Sequence, residues 1–96
     1  MSELRIQIPK SIEMYKEHLG MFFGGMLDKL DRNSHKSTPT IHTVPKIMDH
    51  LQMEVKEFED QFFTDKSDPN TLVELYDVAN FAFLAYVALV MHRTRP

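Results

Sequence analysis

The sequence predicts an all-α fold, with three main helices per chain forming a helical bundle that homo-oligomerisation completes. Three observations carry this expectation. Apolar residues recur at helical spacing from Val44 to Phe62. A second run, Val78 to Met91, is apolar around its whole circumference except for Asn80. Polar, turn-rich segments separate the periodic stretches. With 96 residues the chain is read as one domain, 1–96, with helices at about 9–30, 43–63 and 69–92.

The first helix is expected to start near Pro9, a residue suited to a helix's first turn, and to run to about Leu30. Gly24-Gly25 is expected to kink or break it, since glycine costs about 1 kcal/mol against alanine in a helix interior. Gly20 and Gly24 share a face that another backbone could approach closely. The segment from Asp31 to His42 is polar and without periodicity, and reads as a loop.

The second helix is expected to start at Thr43 as N-cap, with Pro45 in its first turn. Val44, Ile47, Met48, Leu51, Val55, Phe58 and Phe62 fall in one stripe at 100° per residue. Thr64 to Asn70 makes a turn, with Asp68 as cap and Pro69 as first residue of the third helix. On that helix one face carries Leu72, Leu75, Ala79, Phe83, Tyr86 and Val90, and the other Phe81, Leu84, Ala85 and Ala88. Two short helices cannot cover both faces. The second face is therefore assigned to a partner subunit or a cavity, the alternative being a monomeric three-helix bundle with an exposed apolar patch.

Composition narrows the function classes. There is no cysteine, so disulfides and thiolate metal sites are excluded. A net charge of −3 gives no basic footprint for nucleic acid. The first ten residues lack the apolar core of a signal peptide, and Val78–Met91 alone is too short to span a bilayer. The expectation is a soluble, cytoplasmic protein with no membrane partner. No Glu-x-x-His is present, which argues against a ferritin-like di-iron bundle. The methionines are read as fillers of irregular gaps between helices.

Four carboxylates stand out. Glu54 and Glu57 are three residues apart on the second helix, and Glu74 and Asp77 three apart on the third. Adjacent antiparallel helices would bring the pairs together. Crowded carboxylates repel, so they must take up protons or a cation. An all-oxygen site suits a hard cation such as Mg²⁺ or Mn²⁺, and Mg²⁺ shares its shell with substrate phosphates. The competing reading is a polar rim.

The pattern E-V-K-E, sixteen residues, then E-L-Y-D resembles the signature of the all-α nucleoside triphosphate pyrophosphohydrolases, which include the MazG proteins, dimeric dUTPases and dCTP pyrophosphatases. D-V-A-N-F-A is similar to the third-helix continuation of short, single-domain MazG-like proteins. The resemblance covers Thr43 to about Met91. Where many members carry a further glutamate just before the first pair, this chain has Met53. The resemblance implies that Glu54, Glu57, Glu74 and Asp77 ligate Mg²⁺, and that water attacks the α-phosphorus of a nucleoside triphosphate to give a monophosphate and pyrophosphate. Glu57 is the candidate base. The chain would act as a homodimer or homotetramer.

Other candidates follow. Asn80 is placed to bind a base, a sugar hydroxyl or a metal-associated water, or else to make a structural hydrogen bond to a neighbouring helix. His50, one turn before Glu54, is a ligand, a supporting donor or a surface residue. Lys66, Arg93 and Arg95 are candidates for phosphate or are simply solvated. Phe22, Phe23 and Tyr15 are candidates for walling a base pocket or for packing in the core. The alternative function is a non-enzymatic helical oligomeric interaction module with a degenerate metal site.

Overall fold

A computed structural model describes residues 2–34 and 44–94, with side chains through Met91. Its elements are a 3-10 segment, Lys10–Tyr15, and three α-helices: α1, Lys16–Arg32; α2, Val44–Thr64; and α3, Pro69–Thr94. No strand occurs among the described residues. Thr43 and most of the expected 31–42 loop lie outside those residues. Asp31 and Arg32, expected in the loop, instead form the last turn of α1.

The first helix differs from expectation at both its start and its middle. After Pro9 the chain winds as a 3-10 turn, with Ile12 N–H donating to the Pro9 carbonyl at 3.1 Å, and only from Lys16 is it α-helical. Gly24-Gly25 does not break α1. Nor does any side chain or neighbouring backbone approach Gly20 or Gly24. The close approach is at Gly25, where a Cβ would lie 2.8 Å from the Tyr76 hydroxyl oxygen and closer still to its ring. Gly25 is thus kept small for an aromatic ring rather than for a backbone. Asn33 ends α1, its N–H and side-chain amide both donating to the Lys29 carbonyl, at 3.2 and 3.0 Å.

The α2–α3 turn forms as its residues dictate. Asp65 Oδ1 accepts from the Ser67 N–H and hydroxyl, at 3.0 and 2.6 Å, which holds its carboxyl below the ordinary range. Asp68 caps α3, its Oδ1 accepting the Asn70 N–H at 2.9 Å, and Pro69 occupies the first helical position.

Helices α1 and α2 both pack on α3 and not on each other, so α3 is central and a cleft opens between the other two. Early α2 meets late α3: Ile47 packs with Ala85 and Ala88, flanked by Val44, Phe81 and Leu84. Glu54 and Glu57 meet Glu74, so the pair is antiparallel. The small side chains Ala85 and Ala88 let α2 sit close, and Ala88 has no exposed surface.

Here two expectations are corrected. The Phe81–Ala85–Ala88 face, assigned to a partner or cavity, is the intramolecular core face of α3 along its second half. The face left open carries Leu72 (64% exposed), Phe83, Tyr86 (66% exposed) and Val90. The inward row of α2 is also rotated from the expected stripe. It runs Val44, Ile47, Leu51, Glu54, Phe58 and Gln61, leaving Met48, Val55 and Phe62 exposed. The rotation brings Glu54 towards α3.

The core is therefore thin. No large side chain is fully buried among the described residues, and the radius of gyration, 15.2 Å, exceeds the roughly 12.5 Å of a compact domain this long. The Val78–Met91 run sits within a longer helix, and Pro69–Met91 is long and apolar enough, by length and composition, to cross a bilayer. The shortness of the run thus excludes nothing. In this fold Asp77 and Asn80 of the same stretch are engaged with α1.

Candidate metal centre

The cleft between α1 and α2, floored by α3, has a volume of about 730 Å³. Its floor is acidic. Carboxylate oxygens of Glu54, Glu57 and Glu74 lie within 4.8 Å of one another. The helical spacing of each pair and the antiparallel α2–α3 packing produce this convergence. Glu54 and Glu74 are half-buried, whereas Glu57 is exposed at the edge. Each of the half-buried pair has one buried oxygen, Oε2, with no hydrogen-bond partner.

Burial and mutual repulsion raise the affinity of these acids for protons. The Glu54 carboxyl is pushed up to about 7, first by burial, then by Glu57 and Asp77. The Glu74 carboxyl is also raised, by burial and by Asp77 and Glu57, while Lys29 opposes the shift. A cation would relieve the same repulsion.

Asp77 lines the cleft but is not part of the tight cluster. Its Oδ2 accepts a hydrogen bond from Lys29 Nζ at 2.7 Å, an ion pair joining α3 to α1. Asn80, one turn on, is only 6% exposed. Its Nδ2 donates to the Met26 carbonyl at 3.0 Å, the inter-helix bond weighed as the structural alternative. That bond fixes the amide; Asn80 lines the cleft, and its Oδ1 is buried without a hydrogen-bond partner.

His50 lies against Phe81, ring centroids 5.0 Å apart and planes inclined by 30°. With Ile47 and Leu84 they give the cleft an aromatic and apolar wall. Lys66, in the α2–α3 turn, does not line the cleft, and neither do Phe22 and Phe23. Phe22 instead packs on Tyr76, centroids 5.5 Å apart, and on Phe23. Tyr15 is exposed in the 3-10 segment. The Arg93 side chain and Arg95 lie outside the described residues.

Sequence reasoning missed Lys29 and Phe81. Only the helical spacing of Lys29 with Leu19, Phe22 and Met26 was readable beforehand; the burial of that row and the partner came with the fold. The half-buried row of α1 is Leu19, Phe22, Met26 and Lys29, so a lysine occupies a core-facing position at the helix's last turn.

The donor set fits a hard divalent cation. All candidate ligands are oxygens, they converge, and two of them carry buried oxygens that nothing else satisfies. Comparison with known protein families, curated proteins and solved structures finds no match to this chain.

Proposed function

We propose that the chain is a Mg²⁺-dependent nucleoside triphosphate pyrophosphohydrolase, converting an NTP or dNTP and water to the monophosphate and pyrophosphate, with nucleotide-pool cleansing as a fitting role. One observation carries the reading: the convergence of Glu54, Glu57 and Glu74 in a cleft, with buried carboxylate oxygens left without partners. The likeness of E-V-K-E and E-L-Y-D to the all-α pyrophosphohydrolase signature supplies the reaction class.

Glu54, Glu57 and Glu74 would hold Mg²⁺ (or Mn²⁺), with Asp77 as the fourth candidate ligand. The metal supplies positive charge for the phosphate oxygens and acidifies water. Glu57, the most exposed of the three glutamates, would take the proton from the attacking water. Lys46 lines the cleft beside Lys29 and Arg32, which are paired with Asp77 and Asp28, so cations for an anionic ligand stand next to the acidic floor. The His50–Phe81 wall would offer an aromatic surface to a base, and Asn80, at the cleft with an unpartnered Oδ1, is the candidate polar contact. In phosphoryl transfer of this kind the protein positions groups and neutralises charge, and does little covalent work.

The thin core and the open face of α3 support a homodimer or homotetramer as the working form. The test is a panel of NTPs and dNTPs incubated with Mg²⁺ and assayed for pyrophosphate, with one reaction run in ¹⁸O-water. Label in the monophosphate is the expected result. Orthophosphate as first product, or no turnover of any nucleotide, would remove the proposal.

A further inference from the structure

Lys29 is the only cation among the described residues that pairs with one of the four acids, its Nζ lying 2.7 Å from Asp77 Oδ2. Both side chains are about a quarter exposed or less, at 26% and 21%. The pair therefore sits at the cleft wall, neither freely solvated nor sealed. Asp77 lies one helical turn from Glu74, close enough to raise the affinity of both Glu54 and Glu74 for protons. Asp77 is thus within the electrostatic reach of the glutamate cluster, yet its charge is already answered by an ammonium on a different helix. The buried, partnerless oxygens of Glu54, Glu74 and Asn80 mark the adjoining space as built for a ligand.

We propose that Lys29 is an exchangeable cation: Asp77 gives up the Lys29 ammonium when a divalent metal occupies the neighbouring glutamates, and the freed ammonium binds a phosphate of the substrate. This rests on the metal-site reading of the previous subsection. The chemistry of the lysine favours exchange. Its ammonium is a point charge on a flexible four-carbon stem, so it can leave one anion for another without moving α1. On the same wall of the cleft stand Arg32, Asn33 and Ser34, the polar end of α1 where the released ammonium would meet phosphate. Exchange makes metal and phosphate binding mutually reinforcing. Without metal Lys29 is held by Asp77 and is a poor phosphate ligand; with metal it is released. By linkage, phosphate on Lys29 must favour metal on Asp77 by the same factor.

Calorimetric titration of the full chain with Mg²⁺ alone tests the first half. Lys29→Met removes the competitor, and this variant should bind Mg²⁺ about tenfold more tightly than the parent. Pyrophosphate titrated in saturating Mg²⁺ tests the second half: Lys29→Met should bind it about tenfold more weakly. Opposite shifts in the two affinities are the signature, since a purely structural lysine would weaken both. Equal or weaker Mg²⁺ binding by a folded Lys29→Met would overturn exchange. So would an equal gain in Lys46→Met, which would reduce the effect to the general field of the cleft. If Lys29→Met does not fold, the parent chain still decides. Acylation of Lys29 by an N-hydroxysuccinimide ester, read by peptide mass spectrometry, should rise several-fold on adding Mg²⁺ and fall again with pyrophosphate. Unchanged labelling in a chain that calorimetry shows to bind Mg²⁺ overturns the exchange and leaves the metal site standing. A parent that binds no Mg²⁺ overturns both.

Discussion

Gly25 of α1 lies directly under the ring of Tyr76 of α3, so close that no side chain fits between them. The expected effect of Gly25→Ala is therefore the reverse of the usual one. In an open helix interior the change stabilises by about 1 kcal/mol. Here the new methyl collides with a ring that Phe22 also touches, and overpacking costs about 1–3 kcal/mol. Gly25→Ala should lower the melting temperature, whereas the same change at Gly24, with open space around it, should raise it. In a Tyr76→Leu background Gly25→Ala should lose its penalty. Thermal denaturation of the set as a double-mutant cycle checks this, and an unchanged penalty in the Leu background would place the collision elsewhere.

The uncovered side of α3 makes a second test. Phe83 and Tyr86 are exposed within the chain, and Ala85 is buried against α2. If a second copy covers the open face, Tyr86→Glu should shift the chain to monomer in sedimentation equilibrium with its helical circular dichroism retained. Ala85→Glu should instead unfold the chain, because it puts an unpaired charge into the α2–α3 contact at a cost of several kcal/mol. A parent that sediments as a monomer would leave the apolar face without the occupant assigned to it.

How much of this was legible in the sequence follows from what kind of signal each residue gives. Period and punctuation announced α2, α3 and the Asp68-Pro69 start, because stripes and caps are local. The pairing of Glu54 and Glu57 with Glu74 was legible for the same reason: a short turn forces antiparallel neighbours, and fixed spacings then meet. The facing of α3 was not legible. A helix apolar on all sides carries no directional signal, and its hydrophobic residues alone do not reveal that the small Ala85–Ala88 edge, rather than the bulky Phe83–Tyr86 edge, takes α2. Lys29 was missed because its partner, 48 residues away, is known only once α1 is docked. Phe22 and Phe23 were candidates for a base pocket on aromatic character alone, and in the fold Phe22 serves packing.

The acids should act as a set. Glu54→Gln and Glu74→Gln are each expected to lower Mg²⁺-dependent turnover by more than about a hundredfold, since even supporting groups around a metal are worth 10–100-fold. Neither should reduce stability in the absence of metal at pH 8, because each removes one of several crowded negative charges. Asp77→Asn should lose turnover too and, unlike the other two, should also lose the tie to α1 through Lys29. Turnover assays beside urea denaturation separate these effects. Parent-like hydrolysis by Glu74→Gln would remove it from the ligand set.

The last expectation concerns pH and has a definite sign. The Glu54 carboxyl titrates at about 7 in the folded chain against a reference of 4.5, because burial and its acidic neighbours disfavour the ionised form. Between those two values the folded chain holds more protons than the unfolded chain, so stability falls as pH rises through the window. Glu74, raised in the same direction, adds to the slope. The metal-free chain should therefore be more stable at pH 5 than at pH 8, with the loss spread between about 4.5 and 7 and complete above neutrality. Metal reverses the argument. A cation needs the ionised carboxylates, so Mg²⁺ should stabilise strongly at pH 8 and little at pH 5, and its binding near pH 7 should release protons. Melting curves in chelator and in Mg²⁺ across this range test both halves, and calorimetry in buffers of different ionisation enthalpy counts the protons released. In Glu54→Gln the metal-free slope should flatten and the proton release should shrink. A slope that persists unchanged in that variant would assign the titration to another group.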